Sequence, residues 1–439
     1  MLNDRKQIFG WVMYDWANSA YITTVTVAVL PAYFASVIIP SDGITIGNTT
    51  YSATAIWGLL VSLSAFFVFM FAPVLGAISD FSASKKKFLM FFCYTGSLAA
   101  CLLFFCQAGD IALTIILFLI AQIGFVAANI FYDAFLPQIA SEDQMDWVSG
   151  KGFAFGYVGG GIQFALSLGL IAAHQSLGIS AELAARLAML MAGLWWGGFT
   201  LITVACLNEA KATEKLPAEY RHLPTWWAYT QVGLVRTVVT VRKVKLFRDL
   251  LIFLIAYLIY NNGIQTVITM ATIFGKEELK FNTNVLMITL LMIQFVSIVG
   301  ALLFSKLAEI ISAKNALMIS LVGWSLVVIY AYFLQTTTEY FILGGIVGLV
   351  LGGSQSLSRS FYGAIIPAKA SAEFYGFYSV FNKGSAIFGP LLFGAIAQLT
   401  GSARNSILCL IIFFIVGLVL LYLVNETAAK AAKNSSLFH

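Results

Sequence analysis

Long apolar runs separated by short polar stretches form the dominant pattern of this 439-residue chain. An α-helix needs about 20 apolar residues to cross the hydrocarbon core of a bilayer, and the runs are close to that length or above it. The pattern therefore predicts an all-α membrane protein with twelve transmembrane helices, numbered here as spans 1 to 12. The runs cover residues 9–39, 55–78, 88–106, 111–139, 152–173, 184–207, 250–273, 283–305, 315–334, 340–366, 374–398 and 405–424.

One long polar interruption separates six predicted spans from the other six. Part of it mixes aromatic with basic residues, which is typical of a helix that lies along a membrane surface, with a solvated linker as the alternative. The predicted segments are a six-helix half at 1–207, a central loop at 208–249 with the interfacial helix at 224–249, a second six-helix half at 250–424, and a tail at 425–439.

Composition excludes a water-soluble protein, because 60% of the residues are hydrophobic and 10% are charged. Soluble domains carry about 25% charged residues. The net charge of +5 is spread over short loops, so no nucleic-acid partner is expected, and the basic residues indicate topology instead. Of 25 Lys and Arg, 19 fall on the side of the N-terminus, which predicts that both termini are cytoplasmic. The other six are Arg186, Lys276, Lys280 and Arg404 on the opposite side, and Arg359 and Lys383 within helices.

An internal repeat relates the two halves. The segment FYDAFLPQIAS at 131–141 ends the fourth predicted span, and FYGAIIPAKAS at 361–371 ends the tenth. Equivalent spans run in the same direction, so the halves are parallel repeats, an arrangement found in transporters whose halves rock around a central site. Six of the eleven positions are identical at an offset of 230, namely Phe131/Phe361, Tyr132/Tyr362, Ala134/Ala364, Pro137/Pro367, Ala140/Ala370 and Ser141/Ser371.

The sequence contains no pattern that predicts catalysis, a metal site or a bound cofactor. Its five cysteines lie in or beside apolar runs without forming a CxxC pair, and its three histidines lie outside the predicted spans. Zinc sites usually need histidines or paired cysteines, and an ATP-driven pump needs a glycine-rich phosphate loop, which is also missing. We therefore expect a protein that is not an enzyme and uses no metal and no cofactor.

The loop after the second predicted span resembles the loop signature of the major facilitator superfamily. Gly76 is followed four residues later by Asp80 and then by the basic run 85–87, although Ala83 replaces the signature's central glycine. The resemblance implies that Asp80 contacts the eleventh span, through Lys383 or through the start of that helix. A basic loop that only follows topology is the alternative. In the second half, the equivalent conformational gate would join Glu309 and Lys151.

Four further segments resemble the vacuole-effluxer branch, also called autophagy-related permeases, of that superfamily. They lie in spans 1, 4, 7 and 10, so the resemblance covers the whole chain. It implies a transporter that works by alternating access, and fungal members export amino acids from a storage compartment. The third segment departs from the branch, because Asn261-Asn262 stands where an Asn-Asp pair is expected. The segments are Tyr14–Tyr21, Asn129–Pro137, Tyr260–Thr266 and Gly352–Phe361.

Three ionisable residues are predicted at one depth in the spans that line the central cavity of this fold. Asp15, Asp133 and Arg359 lie about 9–10 Å from the cytoplasmic ends of their helices. One hypothesis is that Arg359 binds a substrate carboxylate, or an aspartate when the site is empty, and that the released acid couples proton movement. The alternative is a permanent salt bridge that closes the cytoplasmic side.

Neutral polar and aromatic residues complete the predicted substrate site. Amide side chains suit a zwitterionic solute, although interhelical hydrogen bonding is an equal alternative for each of them. We predict a monomeric secondary transporter of a small polar or zwitterionic solute, plausibly an amino acid, in a bacterial cytoplasmic membrane, with coupling to protons as an option. A lipid-handling protein on the same fold is the alternative. The residues are Asn18, Asn129, Asn261, Asn262, Gln265, Gln355, Tyr132, Tyr260 and Tyr362.

Overall fold

The computed structural model describes residues 2–40, 43–46, 49–51, 53–209, 218–220, 222–244, 247–400 and 402–433. Within these residues, twelve helical segments are long and apolar enough to cross a membrane, which confirms the predicted number. They are span 1 (Arg5–Ile38), span 2 (Ile56–Ser82), span 3 (Lys85–Phe105), span 4 (Ile111–Ile139), span 5 (Met145–Ala172), span 6 (Ala181–Cys206), span 7 (Arg248–Ala271), span 8 (Val285–Ile311), span 9 (Ala313–Phe333), span 10 (Thr337–Ile365), span 11 (Ala368–Thr400) and span 12 (Ala403–Leu423).

Several helices extend beyond the apolar runs of the sequence. Span 5 begins at Met145, seven residues before the predicted start, because its first two turns are polar and pack against the other half instead of against lipid. The helices that contain spans 2, 7 and 8 run over Ala53–Ser82, Arg248–Glu277 and Thr283–Ile311. Additional elements are a helix at Glu426–Ala432, a short 3-10 turn at Ala218–Tyr220, and an antiparallel pair of strands at Ile44–Ile46 and Thr49–Tyr51.

Span 1 is the least regular of the membrane helices. The Asp4 side chain caps its start by accepting from the backbone N–H groups of Lys6 and Gln7. The helix is α-helical over Arg5–Ala20 and Leu30–Tyr33, and it is π-helical over Tyr21–Val29 and Phe34–Ile38. Asp15 lies in the regular first part, so its side chain is presented from a conventional helical turn.

The described residues nearest the two termini lie at the same end of the bundle, which is called the termini side below. Asn3 Nδ2 donates to Ser141 Oγ at 2.8 Å in the connection between spans 4 and 5. Lys433, just after the last helix, contacts Glu142 in that connection and donates to the Ala364 carbonyl at 3.0 Å. The opposite end is called the far side. That the termini side is cytoplasmic stays a prediction.

The two repeated segments meet each other on the termini side. Ser371 Oγ donates to the Ala134 carbonyl at 2.8 Å, and Gln138 Nε2 donates to Ser371 Oγ at 3.3 Å. Residues related by the repeat therefore form direct contacts between the halves.

A helix at Thr225–Val244 occupies part of the central loop and packs against the termini-side end of span 2. The Tyr229 ring lies 5.7 Å from that of Phe81, and the Arg236 guanidinium lies 4.8 Å from the same Phe81 ring. The helix lies within the stretch 224–249 and ends at Val244, before span 7 begins. Its position at the membrane surface stays a prediction.

Candidate substrate cavity and termini-side gate

A cavity of about 550 Å³ lies between the two halves. Its walls come from spans 1, 4 and 5 of the first half and from spans 7 to 12 of the second half. Asp15 and Arg359 line one end of the cavity, and it extends toward the far side as far as Phe274 and Tyr340. A cavity that both halves share is where a solute is held in a transporter that works by alternating access.

On the termini side, close contacts between the halves separate the cavity from that end. A Cβ on Gly76 of span 2 would lie 2.7 Å from Glu373 Cα of span 11. A Cβ on Gly150 of span 5 would lie 2.8 Å from Ser305 Cβ of span 8. Two helices can approach this closely only where one of them lacks a side chain, so the structure is closed on the termini side.

Arg359 joins three spans at the closed end of the cavity. Its Nη1 donates to Asp15 Oδ2 at 3.0 Å and to Asp133 Oδ1 at 3.3 Å. The Arg359 side chain is 4% exposed, against 11% for Asp15 and 18% for Asp133. The predicted juxtaposition of the three ionisable residues is therefore present, and it connects span 10 of the second half to spans 1 and 4 of the first half.

The other two nitrogens of the Arg359 guanidinium are bonded to Ser149, and aromatic rings lie beside it. Nε donates to Ser149 Oγ at 3.1 Å, and Nη2 donates to the Ser149 carbonyl at 2.9 Å. The Phe153 ring centroid lies 4.1 Å from the guanidinium carbon and that of Trp11 lies 4.7 Å away. With all three nitrogens bonded and aromatic rings beside it, Arg359 has little room for a substrate carboxylate in this state.

Asp15 is held more firmly than Asp133. The Tyr132 hydroxyl donates to Asp15 Oδ2 at 2.6 Å, in addition to the bond from Arg359. Trp11 fixes Tyr132 in turn, because its Nε1 donates to the Tyr132 carbonyl at 2.8 Å and the two rings stack at 4.6 Å. Asp133 has the Arg359 contact and a side chain that lines the cavity.

Three members of this cluster are not among the residues predicted from the sequence, namely Ser149, Phe153 and Trp11. Ser149 lies before the predicted start of span 5, in a stretch too polar to be counted as membrane helix. Phe153 and Trp11 lie in apolar surroundings where nothing distinguishes them from packing residues. A signal for Ser149 was its place next to the Gly150-Lys151-Gly152 segment, where small residues allow helices of the two halves to approach.

Eight of the twelve predicted substrate or coupling residues line the cavity. Asn18 Nδ2 donates to Asn129 Oδ1 at 2.7 Å, which links spans 1 and 4. Gln355 Oε1 accepts from the Tyr157 hydroxyl at 2.7 Å, which links the two halves. The eight are Asp15, Asn18, Asn129, Asp133, Asn261, Gln265, Gln355 and Arg359.

The other four predicted residues do not line the cavity and are buried between helices. Tyr132 lies behind Asp15, as described above. The Tyr260 hydroxyl shares a hydrogen bond of 2.7 Å with Ser358 Oγ, and the Tyr362 hydroxyl donates to the Phe374 carbonyl at 2.7 Å. Asn262 is buried beside span 11, and its Oδ1 has no hydrogen-bond partner among the described residues. These side chains turn away because a helix in the bundle shows only one face to the cavity.

The predicted contact of Asp80 with span 11 is present at the start of that helix and does not involve Lys383. Asp80 Oδ1 and Oδ2 accept from the backbone N–H groups of Ala372 at 3.2 Å and Glu373 at 2.8 Å. Its ion pair is with Lys85, at 2.5 Å. A carboxylate at a helix N-terminus satisfies free N–H groups and the helix dipole, so pairing with Lys383 was the wrong one of the two expectations.

The predicted equivalent contact in the second half is absent. Glu309 is exposed and forms no ion pair with Lys151, both residues being in the described part of the chain. The Lys151 ammonium lies 5.0 Å from the Trp147 ring centroid. Lys383, the other lysine predicted at the gate, lines the cavity instead. The contact of Asp80 with the start of span 11 therefore has no counterpart between Glu309 and Lys151.

Comparison with known proteins assigns the family. The family model described as "Vacuole effluxer Atg22 like" matches residues 3–434. The chain belongs to the vacuole effluxer Atg22-like family. The chain is 36% identical, over 96% of its length and 95% of the relative, to a Bacillus subtilis (strain 168) protein named uncharacterized MFS-type transporter YxiO. It is 30% identical to autophagy-related protein 22-1 of Neosartorya fischeri, over 64% of this chain and 48% of the fungal protein.

A solved structure supports the same fold. The human organic anion transporter MFSD10 (TETRAN) matches with a TM-score of 0.69 at 13% identity, over 95% of this chain and 99% of that one. The Atg22-like chain therefore has the major-facilitator fold and is an integral, multi-pass membrane protein. Its relatives are transporters, so it is a transporter of this superfamily and not an enzyme, and secondary transport of a small solute is consistent with its family.

Proposed function

We propose that the protein is a secondary transporter that moves a small zwitterionic solute of the amino-acid class by alternating access. The carrying observation is the cavity between the halves, which has charged groups of both signs and amide side chains in its wall. Asp133 presents a carboxylate to it, and Asn18, Asn129 and Gln355 supply neutral hydrogen-bonding groups. A solute with both an ammonium and a carboxylate group matches this combination better than a sugar or an apolar molecule.

We assign the Arg359 cluster to the gate on the termini side. Its contacts with Asp15, Asp133 and Ser149 all cross from the second half to the first. If the halves rock about the cavity, such contacts must break each time the termini side opens, whereas contacts within a half persist. Because the donors of Arg359 are occupied, a closing role fits its geometry better than direct binding of the substrate.

Proton coupling is proposed to act through Asp133. Asp15 accepts from both Arg359 and Tyr132, but Asp133 has a longer contact with Arg359 and a more exposed side chain. A proton or a substrate ammonium that reaches Asp133 from the cavity removes its attraction for Arg359 and weakens the gate. Occupancy of the cavity would thereby be linked to opening on the termini side.

We place the protein in a bacterial cytoplasmic membrane with both termini inside, on the distribution of basic residues. A reporter fused after residue 439 that is active only in the cytoplasm is expected to be active, and an inactive reporter would reverse the orientation. The lipid-handling alternative is not favoured, because the named relatives are transporters.

The direct test is uptake of radiolabelled amino acids into proteoliposomes of the purified protein. We expect saturable uptake of at least one amino acid, and accumulation above equilibrium when a pH gradient is imposed. The control is the Arg359→Ala protein reconstituted at the same density. Absence of uptake for all twenty amino acids would overturn the amino-acid assignment, and uptake that ignores the pH gradient would overturn proton coupling alone.

A further inference from the structure

Lys383 lies on the one face of span 11 that forms part of the cavity wall. The cavity-lining residues of this helix recur at the spacing i, i+3, i+4, i+7 and i+8, which is the repeat of a single α-helical face. All five are polar or aromatic with a polar group, namely Tyr375, Tyr378, Ser379, Asn382 and Lys383. Lys383 is therefore presented to the cavity by the geometry of its helix and is not directed toward lipid.

The Lys383 ammonium has no partner among the residues that the structure describes. It is half-buried, and it forms no hydrogen bond or ion pair with any residue in the part of the chain that the structure describes. The other cationic residue that lines the cavity, Arg359, is bonded through all three of its nitrogens. Lys85, at the start of span 3, pairs with Asp80.

A lysine within a membrane span normally pairs with a carboxylate or with backbone carbonyls, since an isolated cation there is costly. Of the two carboxylates that line the cavity, Asp15 and Asp133, both are bonded to Arg359. Around Lys383 the wall supplies neutral groups, among them Ser379, one turn earlier on the same face, and Asn382, which is bonded to the Tyr257 hydroxyl at 2.6 Å. The missing counter-charge is therefore not supplied by these neighbours.

We infer that Lys383 binds the carboxylate, or an equivalent anionic group, of the transported solute. This inference rests on the proposed function, since it takes the cavity as the transport site and names the chemical class that the site selects. Lys383 lies twelve residues after Ser371, where its helix begins on the termini side. Arg359 lies six residues before Ile365, where span 10 ends on the same side. At 1.5 Å per residue Lys383 is about 9 Å deeper, on the far side of the gate cluster.

Depth gives the bound solute an orientation. A zwitterion whose carboxylate binds Lys383 has its ammonium toward the gate. There the side chain of Asp133 is more exposed than that of Asp15. The solute then compensates Lys383, which has no partner among the described residues, and competes with Arg359 for Asp133. The same contact gives specificity, because an analogue without the carboxylate leaves Lys383 uncompensated.

The experiment measures binding to the purified full-length protein in detergent, by thermal shift and then by titration calorimetry. The probes are the twenty amino acids, followed by the primary carboxamide of the one that binds most tightly. The carboxamide keeps the ammonium and the side chain but removes the anionic charge. The variants are Lys383→Met and Lys383→Arg, with Lys276→Met as the matched control, because Lys276 is exposed at the far-side end of span 7.

We expect wild type and Lys276→Met to bind the amino acid about tenfold or more tightly than its carboxamide. In Lys383→Met that preference should fall to about twofold or less, because a double-mutant comparison removes the charge from each partner in turn. Lys383→Arg should retain most of the preference. If the methionine variant does not fold, the test still rests on the preference for the amino acid over its carboxamide, measured in wild type and in Lys383→Arg.

Each other outcome decides between the two proposals. If wild type binds an amino acid no more tightly than its carboxamide, or if Lys383→Met keeps the wild-type preference, the inference fails while the proposed function stands. If no amino acid binds but acetate or succinate binds in a manner that depends on Lys383, the inference stands and the amino-acid assignment fails. If neither class of probe binds to wild type, both are overturned.

Discussion

Arg359 and Lys383 are two cations of the same half, both inside membrane spans and both bordering the same cavity. Arg359 is bonded through all three nitrogens and has the rings of Phe153 and Trp11 beside it. Lys383 has no bonded partner among the described residues and neutral groups around it. One charge is satisfied by the other half of the protein, and the other has no counter-charge among the described residues.

The difference separates two functions that the sequence had combined in one residue. An ion pair between the halves contributes to one conformational state and must be broken in the next, so its strength sets the balance between states. A cation without a partner in the cavity wall is unfavourable until a ligand arrives, so its contribution appears as affinity and selectivity. Variants at the gate should therefore affect the transport cycle, and variants at Lys383 should affect recognition.

The largest effect is expected for Arg359→Ala. The substitution leaves Asp15 and Asp133 buried without their cation, a change that typically costs about 3–5 kcal/mol, so transport should fall by about a hundredfold or more. Uptake into proteoliposomes measures it. Arg404→Ala is the control, because Arg404 pairs with Glu278 at 3.1 Å but both side chains are 26% exposed. That variant should stay within about threefold of wild type, and equal behaviour of the two would refute the gate.

The two aspartates should differ in what they disrupt. Asp133→Asn is expected to retain downhill exchange of the solute but to lose accumulation driven by a pH gradient, since it removes the proposed proton site. Asp15→Asn should lose about tenfold in both, because Asp15 also holds Tyr132 at 2.6 Å. Counterflow and gradient-driven uptake of the two variants, measured side by side, provide the test. Gradient-driven accumulation by Asp133→Asn would rule out its coupling role.

The approach of span 2 to span 11 should tolerate no side chain. Gly76→Ala places a Cβ 2.7 Å from Glu373 Cα, so the closed termini side should be destabilised and transport should fall about tenfold. Gly58→Ala is the matched control in the same span, because no atom lies within 4 Å of a Cβ at that position. Labelling of a cysteine introduced at Ser371 should become faster in the Gly76 variant only. Unchanged labelling would show that the contact does not close the gate.

The sequence was sufficient for the fold and for part of the site. Twelve spans follow from hydropathy, and Asp15, Asp133 and Arg359 are conspicuous because ionisable residues within apolar runs are rare. Ser149 and Trp11 could not be found in this way, since their role depends on which faces meet when two distant helices cross. Lys383 was placed at the gate by the superfamily resemblance, and only its depth along span 11 shows that it belongs to the cavity.

The smallest effects are expected for variants that remove a single neutral hydrogen bond. Such variants still distinguish bonds between the halves from bonds within one half. Tyr157→Phe removes a 2.7 Å bond to Gln355 across the halves, and Tyr260→Phe removes a 2.7 Å bond to Ser358 within the second half. Each bond contributes about 1 kcal/mol. Only the first bond is broken during rocking, so Tyr157→Phe should change the transport rate about threefold to fivefold. Tyr260→Phe should lower the melting temperature and leave the rate unchanged, and a rate effect of equal size in both variants would contradict a cycle in which the halves move as rigid units.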